Sequence, residues 1–125
     1  MNGIMLEAVD GEFSVCKVDS IDVKHMLEPF CFIGRTDEEL SLVCLTENAP
    51  EKYVGREDGW RCFRIRGVLD FSLVGILAPI ARILADENIG IFAVSTYNTD
   101  YVLVRREQLQ RALAALEANG YGVCR

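Results

Sequence analysis

Two short segments of this chain are polar in places where strand or helix packing alone does not require it. The first is Ser95-Thr96-Tyr97-Asn98-Thr99-Asp100, at the end of an apolar, strand-like run. Ser95 and Thr96 offer hydroxyls, and Asp100 offers a negative charge suited to an amine. The second is Gly67 to Ile76, the entry into a helical pattern. A helix start presents unpaired N–H donors and a partial positive charge, so it receives carboxylates. Gly67 and Gly75 would let a ligand approach the backbone closely. A carboxylate receptor beside an amine receptor is what an amino acid zwitterion needs. Structural roles compete with this reading: Asp70 or Ser72 as a helix cap, and Asp100 as a turn residue.

Other chemistry finds little support. The chain has no G-x-S-x-G, G-x-G-x-x-G or Walker loop. A catalytic triad needs a base beside its nucleophile, and His25, the only imidazole, falls in a short surface helix pattern. Glu38 and Glu39 read as a solvated turn. Five cysteines, Cys16, Cys31, Cys44, Cys62 and Cys124, lie among apolar residues without C-x-x-C spacing, which predicts buried, reduced thiols. One histidine and no ligand cluster predict no metal site, and nothing calls for a cofactor. Arg61, Arg64 and Arg66 form a basic stripe that raises RNA recognition as an alternative, but Ile91-Phe92-Ala93-Val94 lacks that motif's paired aromatics. The chain is therefore expected not to be an enzyme.

The elements that must position these residues follow from periodicity. Asp10-Gly11 between apolar runs predicts a hairpin of Ile4–Val9 with Glu12–Val18. Val23, Met26 and Leu27 allow about two helical turns before Pro29. Phe30–Ile33 and Leu40–Leu45 read as strands around the polar loop 35–39. Thr46 to Gly59 is the most linker-like stretch, and a boundary there divides the chain into 1–58 and 59–125. Trp60–Arg66 is then a strand. Leu73, Ile76, Leu77, Ile80 and Leu84 mark a helix, with a kink expected at Pro79. Ile89–Val94 and Asp100–Val104 are strands. Leu109, Ala112, Leu113 and Leu116 mark a second helix ending at Asn119-Gly120, and Tyr121–Cys124 is a last short strand. The order βαββαβ from residue 59 defines an α+β fold, ferredoxin-like, with two helices on one face of a four-stranded antiparallel sheet. A faint repeat aligns Glu39-Leu40-Ser41-Leu42-Val43 with Asp100-Tyr101-Val102-Leu103-Val104. By that repeat the first half is a shortened copy of the second.

Composition narrows the partners. A net charge of −6 over 125 residues argues against nucleic acid, whose binding is driven by Lys and Arg. No apolar run reaches the roughly 18 residues a membrane span needs. The start, Met1-Asn2-Gly3-Ile4-Met5-Leu6-Glu7, has no basic region ahead of an apolar run, so a secretory leader is not expected and the cytoplasm is.

Gly67-Val68-Leu69-Asp70-Phe71-Ser72-Leu73-Val74-Gly75-Ile76-Leu77 and Ile91 through Val104, most specifically Ser95 to Asp100, resemble the ACT domain. More narrowly, the chain resembles small bacterial tandem-ACT proteins related to the CASTOR arginine sensors. Thr36 to Val43 is similar to the first, truncated ACT-like half of that family. The resemblance implies a non-catalytic regulatory module that binds an amino acid at an interface between ACT units. By position it implies a site of Gly67, Asp70, Phe71, Ser72, Gly75 and Ile76 with Ser95, Thr96 and Asp100. One full unit and one reduced one leave room for a homodimer to complete the pocket, and exposed sheet edges give it a means. A protein-interaction module with a vestigial site is the alternative.

Overall fold

In the computed structural model, which describes residues 3–67 and 75–125, the first strand, β1 (Met5–Lys17), runs through Asp10-Gly11 without turning back. The expected hairpin is absent because each half of β1 finds its partners far along the chain. Met5 to Glu7 pair in parallel with Gly122 to Cys124, and Phe13 to Lys17 pair antiparallel with Leu45 to Ser41. Gly11 keeps the positive φ (+95°) that suggested a turn, and spends it inside the strand. A larger residue there would be strained by the positive φ and would push aside the end of the Leu45 side chain, 2.9 Å from an added Cβ.

The chain divides into two units, one of Met1–Asp10 with Arg61–Arg125 and one of Gly11–Trp60. The strands β1 and β4 (Gly55–Ile65) contribute residues to both.

The larger unit follows the expected βαββαβ order with one strand added. Its elements are β4, α2 (Leu77–Asp86), β5 (Phe92–Ser95), β6 (Asp100–Arg105), α3 (Leu109–Ala118) and β7 (Gly122–Cys124). β6 lies between β4 and β5, but β7 pairs with the start of β1, which itself neighbours β4. The Arg66 N–H donates to the Met5 carbonyl (2.9 Å) and the Gly122 N–H to the Ile4 carbonyl (3.0 Å), locking the first residues between the other two. Within this unit the sheet therefore has five strands, with β1 and β7 paired in parallel, where the sequence predicts four antiparallel ones.

Helix α3 matches its sequence pattern. Leu109, Ala112, Leu113 and Leu116 are all buried and pack with Leu6, Phe63, Ile65, Ile80, Leu84, Val102 and Val104. Burying each leucine contributes about 2 kcal/mol. The helix closes where Asn119-Gly120 predicts, with Gly120 at φ +96° and the Tyr121 N–H reaching back to the Leu116 carbonyl at 3.1 Å. Helix α2 buries Ile80 and Leu84 as expected, but it starts at Leu77. Pro79 therefore sits in its first turn, where no intrahelical bond is lost, and the kink expected there is replaced by a helix start.

In the smaller unit β3 (Leu40–Leu45) lies between β2 (Phe32–Arg35) and β1, and β1 neighbours β4. Its first helix, α1 (Val23–Met26), is a single turn, and its second is one 3-10 turn, Thr46–Asn48. Val23, Met26 and Leu27, whose spacing predicts two helical turns, give only this one turn and are exposed. Cys16, Val18, Leu40, Leu42 and Cys44 form the core there, with Cys31 packed against it. Three thiols are buried as expected, Cys16, Cys44 and Cys62, whereas Cys31 is half-buried just before β2 and Cys124 is exposed.

One polar group sits in this small unit fully buried. The Ser14 hydroxyl donates to Asp58 Oδ1 (2.6 Å) and shares a 2.9 Å hydrogen bond with Thr46 Oγ1. Arg56 completes the network at 2.8 Å from Asp58. The Arg56 guanidinium first, and Ser14 second, hold the Asp58 carboxyl below its ordinary range. Ser14→Ala should destabilise the protein by about 1–2 kcal/mol at pH 7, read by urea denaturation, because a buried hydroxyl bonded to a carboxylate is lost. The contribution of Asp58 is present above the unfolded carboxylate range and is lost as pH falls through its lowered folded value. The gap between wild type and variant should therefore narrow below about pH 4. A gap that stays constant down to pH 3 would show that Ser14 acts by packing alone.

Candidate functional site

The polar run after β5 is a four-residue loop between paired strand ends. Ser95 and Asp100 are the last pair of the β5–β6 ladder, directly opposite each other. The loop closes because the Thr96 N–H and the Thr96 hydroxyl both donate to the Thr99 carbonyl, at 2.9 and 3.0 Å. Four-residue hairpin loops are common and suit a threonine that bonds its own backbone.

Across the end of that ladder the Ser95 hydroxyl donates to Asp100 Oδ1 at 2.6 Å, a short, charge-assisted bond that fixes the carboxylate. Strand alternation places Asp100 on the face of Val102 and Val104, the face that α2 and α3 cover. Among the described residues no basic side chain pairs with Asp100. A half-exposed, oriented carboxylate with no cation beside it can receive an ammonium group.

The loop is anchored by Thr99. Thr99 is 7% exposed, and its hydroxyl donates to the Ile65 carbonyl at 2.7 Å. Ile65 ends β4, two residues before Gly67. This bond brings the β5–β6 loop to the β4 exit, where the second expected segment begins. The Thr96-x-x-Thr99 spacing was its only signal in the sequence.

Of that second segment, Gly67 and Gly75 are exposed with φ of +96° and +73°, and a Cβ at either would meet nothing within 4 Å. The backbone at both is open to an incoming group. Asp70, Phe71 and Ser72 lie outside the described residues, and so do the capping roles considered for Asp70 and Ser72. The N-cap position of α2 is Ile76, with no side-chain capping bond. Ile76 itself packs against the core. Gly75 instead lines an open hollow of about 610 Å³ with Ala78, Pro79, Arg82 and Ile83. Ser95, Thr96 and Asp100 are thus brought together at the loop end of the β5–β6 ladder, while Gly75 and Ile76 stand at the start of α2.

Two arginines of the stripe, Arg61 and Arg64, make contacts within the larger unit, and Arg66 is exposed just past the end of β4. Arg64 Nε lies 2.9 Å from Glu7 Oε1, its Nη1 donates to the Tyr101 hydroxyl at 3.4 Å, and its guanidinium stands 6.0 Å from the centre of the Tyr101 ring. Arg61 donates to the Val9 carbonyl at 3.5 Å.

A larger hollow, about 760 Å³, lies in the smaller unit between α1 and residues 47–52, and none of the expected site residues lines it. His25 borders it, with Nδ1 3.0 Å from the Asn48 carbonyl, a bond that ties α1 to the 3-10 turn. Among the described residues no three His, Cys, Asp or Glu side chains are grouped to hold a metal ion, and no helix is long and apolar enough to cross a membrane.

Residues 55–118 match the sequence model of the ACT domain family. No curated protein matches the chain. Among solved structures, the Agobacterium tumefaciens protein Atu0741 is 32% identical, with 96% of this chain and 91% of that chain covered and a TM-score of 0.86. A Vibrio cholerae protein of unknown function is 25% identical over 92% of this chain and 88% of that one, with a TM-score of 0.72. The regulatory subunit of aspartate kinase from Thermus thermophilus, in its ligand-free form, is similar in fold at 12% identity, with 90% and 95% covered and a TM-score of 0.64.

Proposed function

This chain belongs to the ACT domain family, and on that premise we propose that it is a non-catalytic regulatory module whose larger unit binds an amino acid. The observation that carries the reading is the Ser95–Asp100 pair, an oriented carboxylate at the sheet end beside the β4 exit. In this reading Asp100 receives the ligand's ammonium group, and Ser95 holds Asp100 in place. Thr96 and the backbone at Gly67 border the ligand, and the segment with Asp70, Phe71, Ser72, Gly75 and Ile76 supplies the carboxylate side through its backbone N–H groups, with the Ile76 side chain packed inward. The regulatory subunit of aspartate kinase offers a fold-level parallel for a module that stands apart from catalysis.

The smaller unit is read as a reduced ACT-like partner, in keeping with the tandem proteins related to the CASTOR sensors. Support comes from its sheet order, β2-β3-β1-β4, and from a short helical turn at each place where the larger unit has a helix. The module works in the cytoplasm, as a homodimer, where its thiols stay reduced.

The test is a thermal-shift panel of the twenty amino acids. A ligand at about 100 times its dissociation constant adds roughly 2.7 kcal/mol, a shift of several degrees for a domain of this size. Asp100→Ala should then weaken the active ligand about 30-fold, close to 2 kcal/mol, as expected for removing one partner of a charge pair. No shift with any amino acid at millimolar concentration would sink the reading.

A second reading has its own observation. Val23, Met26, Leu27, Ile33, Tyr53 and Val54, all in the smaller unit, are exposed apolar side chains. They favour a protein-interaction module with a vestigial ligand site. Light scattering with and without amino acids separates the two, since a vestigial site leaves the mass and the melting temperature unmoved by ligand.

A further inference from the structure

We infer that each chain binds one amino acid and not two, because the smaller unit carries a second copy of the binding hairpin that lacks the amine receptor. The inference rests on the amino-acid reading above.

The two hairpins repeat at a constant offset. Phe32↔Val43 through Arg35↔Leu40 in the smaller unit become Phe92↔Leu103 through Ser95↔Asp100 in the larger, each partner sixty residues further on. The loops close alike, with the Thr36 N–H bonded to the Glu39 carbonyl and the Thr96 N–H to the Thr99 carbonyl, both at 2.9 Å. The strands leave alike too. Leu45 and Arg105 share φ −59° with ψ of 139° and 140°, and each precedes a 3-10 turn. The alignment that sequence similarity suggested, Glu39 with Asp100, is one residue out of register. The backbone aligns Leu40 with Asp100 and Glu39 with Thr99. In a strand that single step exchanges the two faces.

With the register corrected, the chemistry of the two copies diverges at the positions that matter. Leu40 stands where Asp100 stands, buried in the apolar cluster of Cys16, Leu42 and Cys44. Arg35 stands where Ser95 stands, and a guanidinium repels the ammonium that the larger unit would attract. Glu39 replaces Thr99, and its Oε1 accepts from the Ser41 hydroxyl at 3.0 Å in place of an anchor to a neighbouring strand. With Asp37 and Glu38 beside it, the loop also opposes a ligand carboxylate. The backbone scaffold is duplicated and the receptor is not.

Equilibrium dialysis of the full chain against a radiolabelled mixture of the twenty proteinogenic amino acids measures the capacity directly. The expected plateau is one amino acid per chain. Asp100→Asn, near-isosteric and checked for an unchanged circular dichroism spectrum, should abolish it, while Arg35→Ala should leave it at one. Any other plateau with wild type, or a single site lost in Arg35→Ala and kept in Asp100→Asn, would overturn the inference while leaving the amino-acid reading intact. No binding by wild type would overturn that reading itself, and the inference with it.

Discussion

A fragment spanning residues 59–125 should fail to fold, although it contains the βαββαβ order except for the first four residues of β4. The reason lies in the first ten residues. Leu6 is fully buried in the core of the larger unit, with Phe63, Ile80, Leu84, Leu113 and Leu116. The start of β1 is also the strand with which β7 pairs. Without it, β7 loses its ladder, the Arg66 N–H loses its 2.9 Å bond to the Met5 carbonyl, and the Leu6 side of the core opens to water. A single-site version of the same experiment is Leu6→Ala in the full chain. It should destabilise by about 2–5 kcal/mol, the range for truncating a buried leucine that leaves a cavity. Against a total stability of about 5–15 kcal/mol, that is a large share. The measurement is urea denaturation followed by circular dichroism. A cooperative transition in the fragment, or a Leu6→Ala cost below 1 kcal/mol, would show that the larger unit is complete without the N-terminal strand.

The same strand marks where sequence reasoning reached its limit. Helix α3 was legible because its signal is local: Leu109, Ala112, Leu113 and Leu116 face one way at 3.6-residue spacing, and Asn119-Gly120 closes the chain where the pattern stops. The two hairpins were legible for a similar reason, since polar loops of four or five residues separate apolar runs. The pairing of β1 was not, because it depends on residues 41–45 and 122–124, far away in sequence. Asp10-Gly11 then pointed to a hairpin, and only the competing partners decide against it. Gly59, at φ +85° in β4 and also preceded by an aspartate, reads the same way. For the candidate site, Ser95 and Asp100 stood out as polar residues ending an apolar strand, and the structure joins them at 2.6 Å. Ile76 carries two readings in the sequence, a place in the apolar stripe of α2 and a place in the site by position, and its packing against the core matches the first. Thr99 was passed over because its role, a bond to the Ile65 carbonyl, is invisible until β4 and the loop share one end of the sheet.

The stability of the protein should fall steeply in alkali, because two buried thiols resist giving up their protons. Cys44 is 2% exposed and Cys62 fully buried. Burial is the largest cause that pushes each thiol from 9.0 to about 12; Cys16 and Cys31 add to it at Cys44, while Arg56 at Cys44 and Arg64 and Arg61 at Cys62 pull the other way. Both folded-state values lie above the unfolded one, so the native chain keeps protons that the unfolded chain releases. The stabilisation is complete below about pH 9 and is lost as pH rises toward 12. Between those limits each thiol removes about 1.4 kcal/mol per pH unit. Two thiols together remove about 4 kcal/mol by pH 10.5, enough to bring a marginal domain near its midpoint. Cys16 and Cys31 are raised by the same desolvation and steepen the slope further. The experiment compares urea midpoints of wild type and Cys44→Ala/Cys62→Ala from pH 7 to 11. At pH 7 the double variant should be the weaker protein, by about 1 kcal/mol for each small cavity. Its decline above pH 9 should be shallower by roughly two protons' worth of slope, so the curves converge and cross near pH 10. Parallel curves would mean that the thiols titrate alike in both states, and that Cys44 and Cys62 are solvated in a way their burial contradicts.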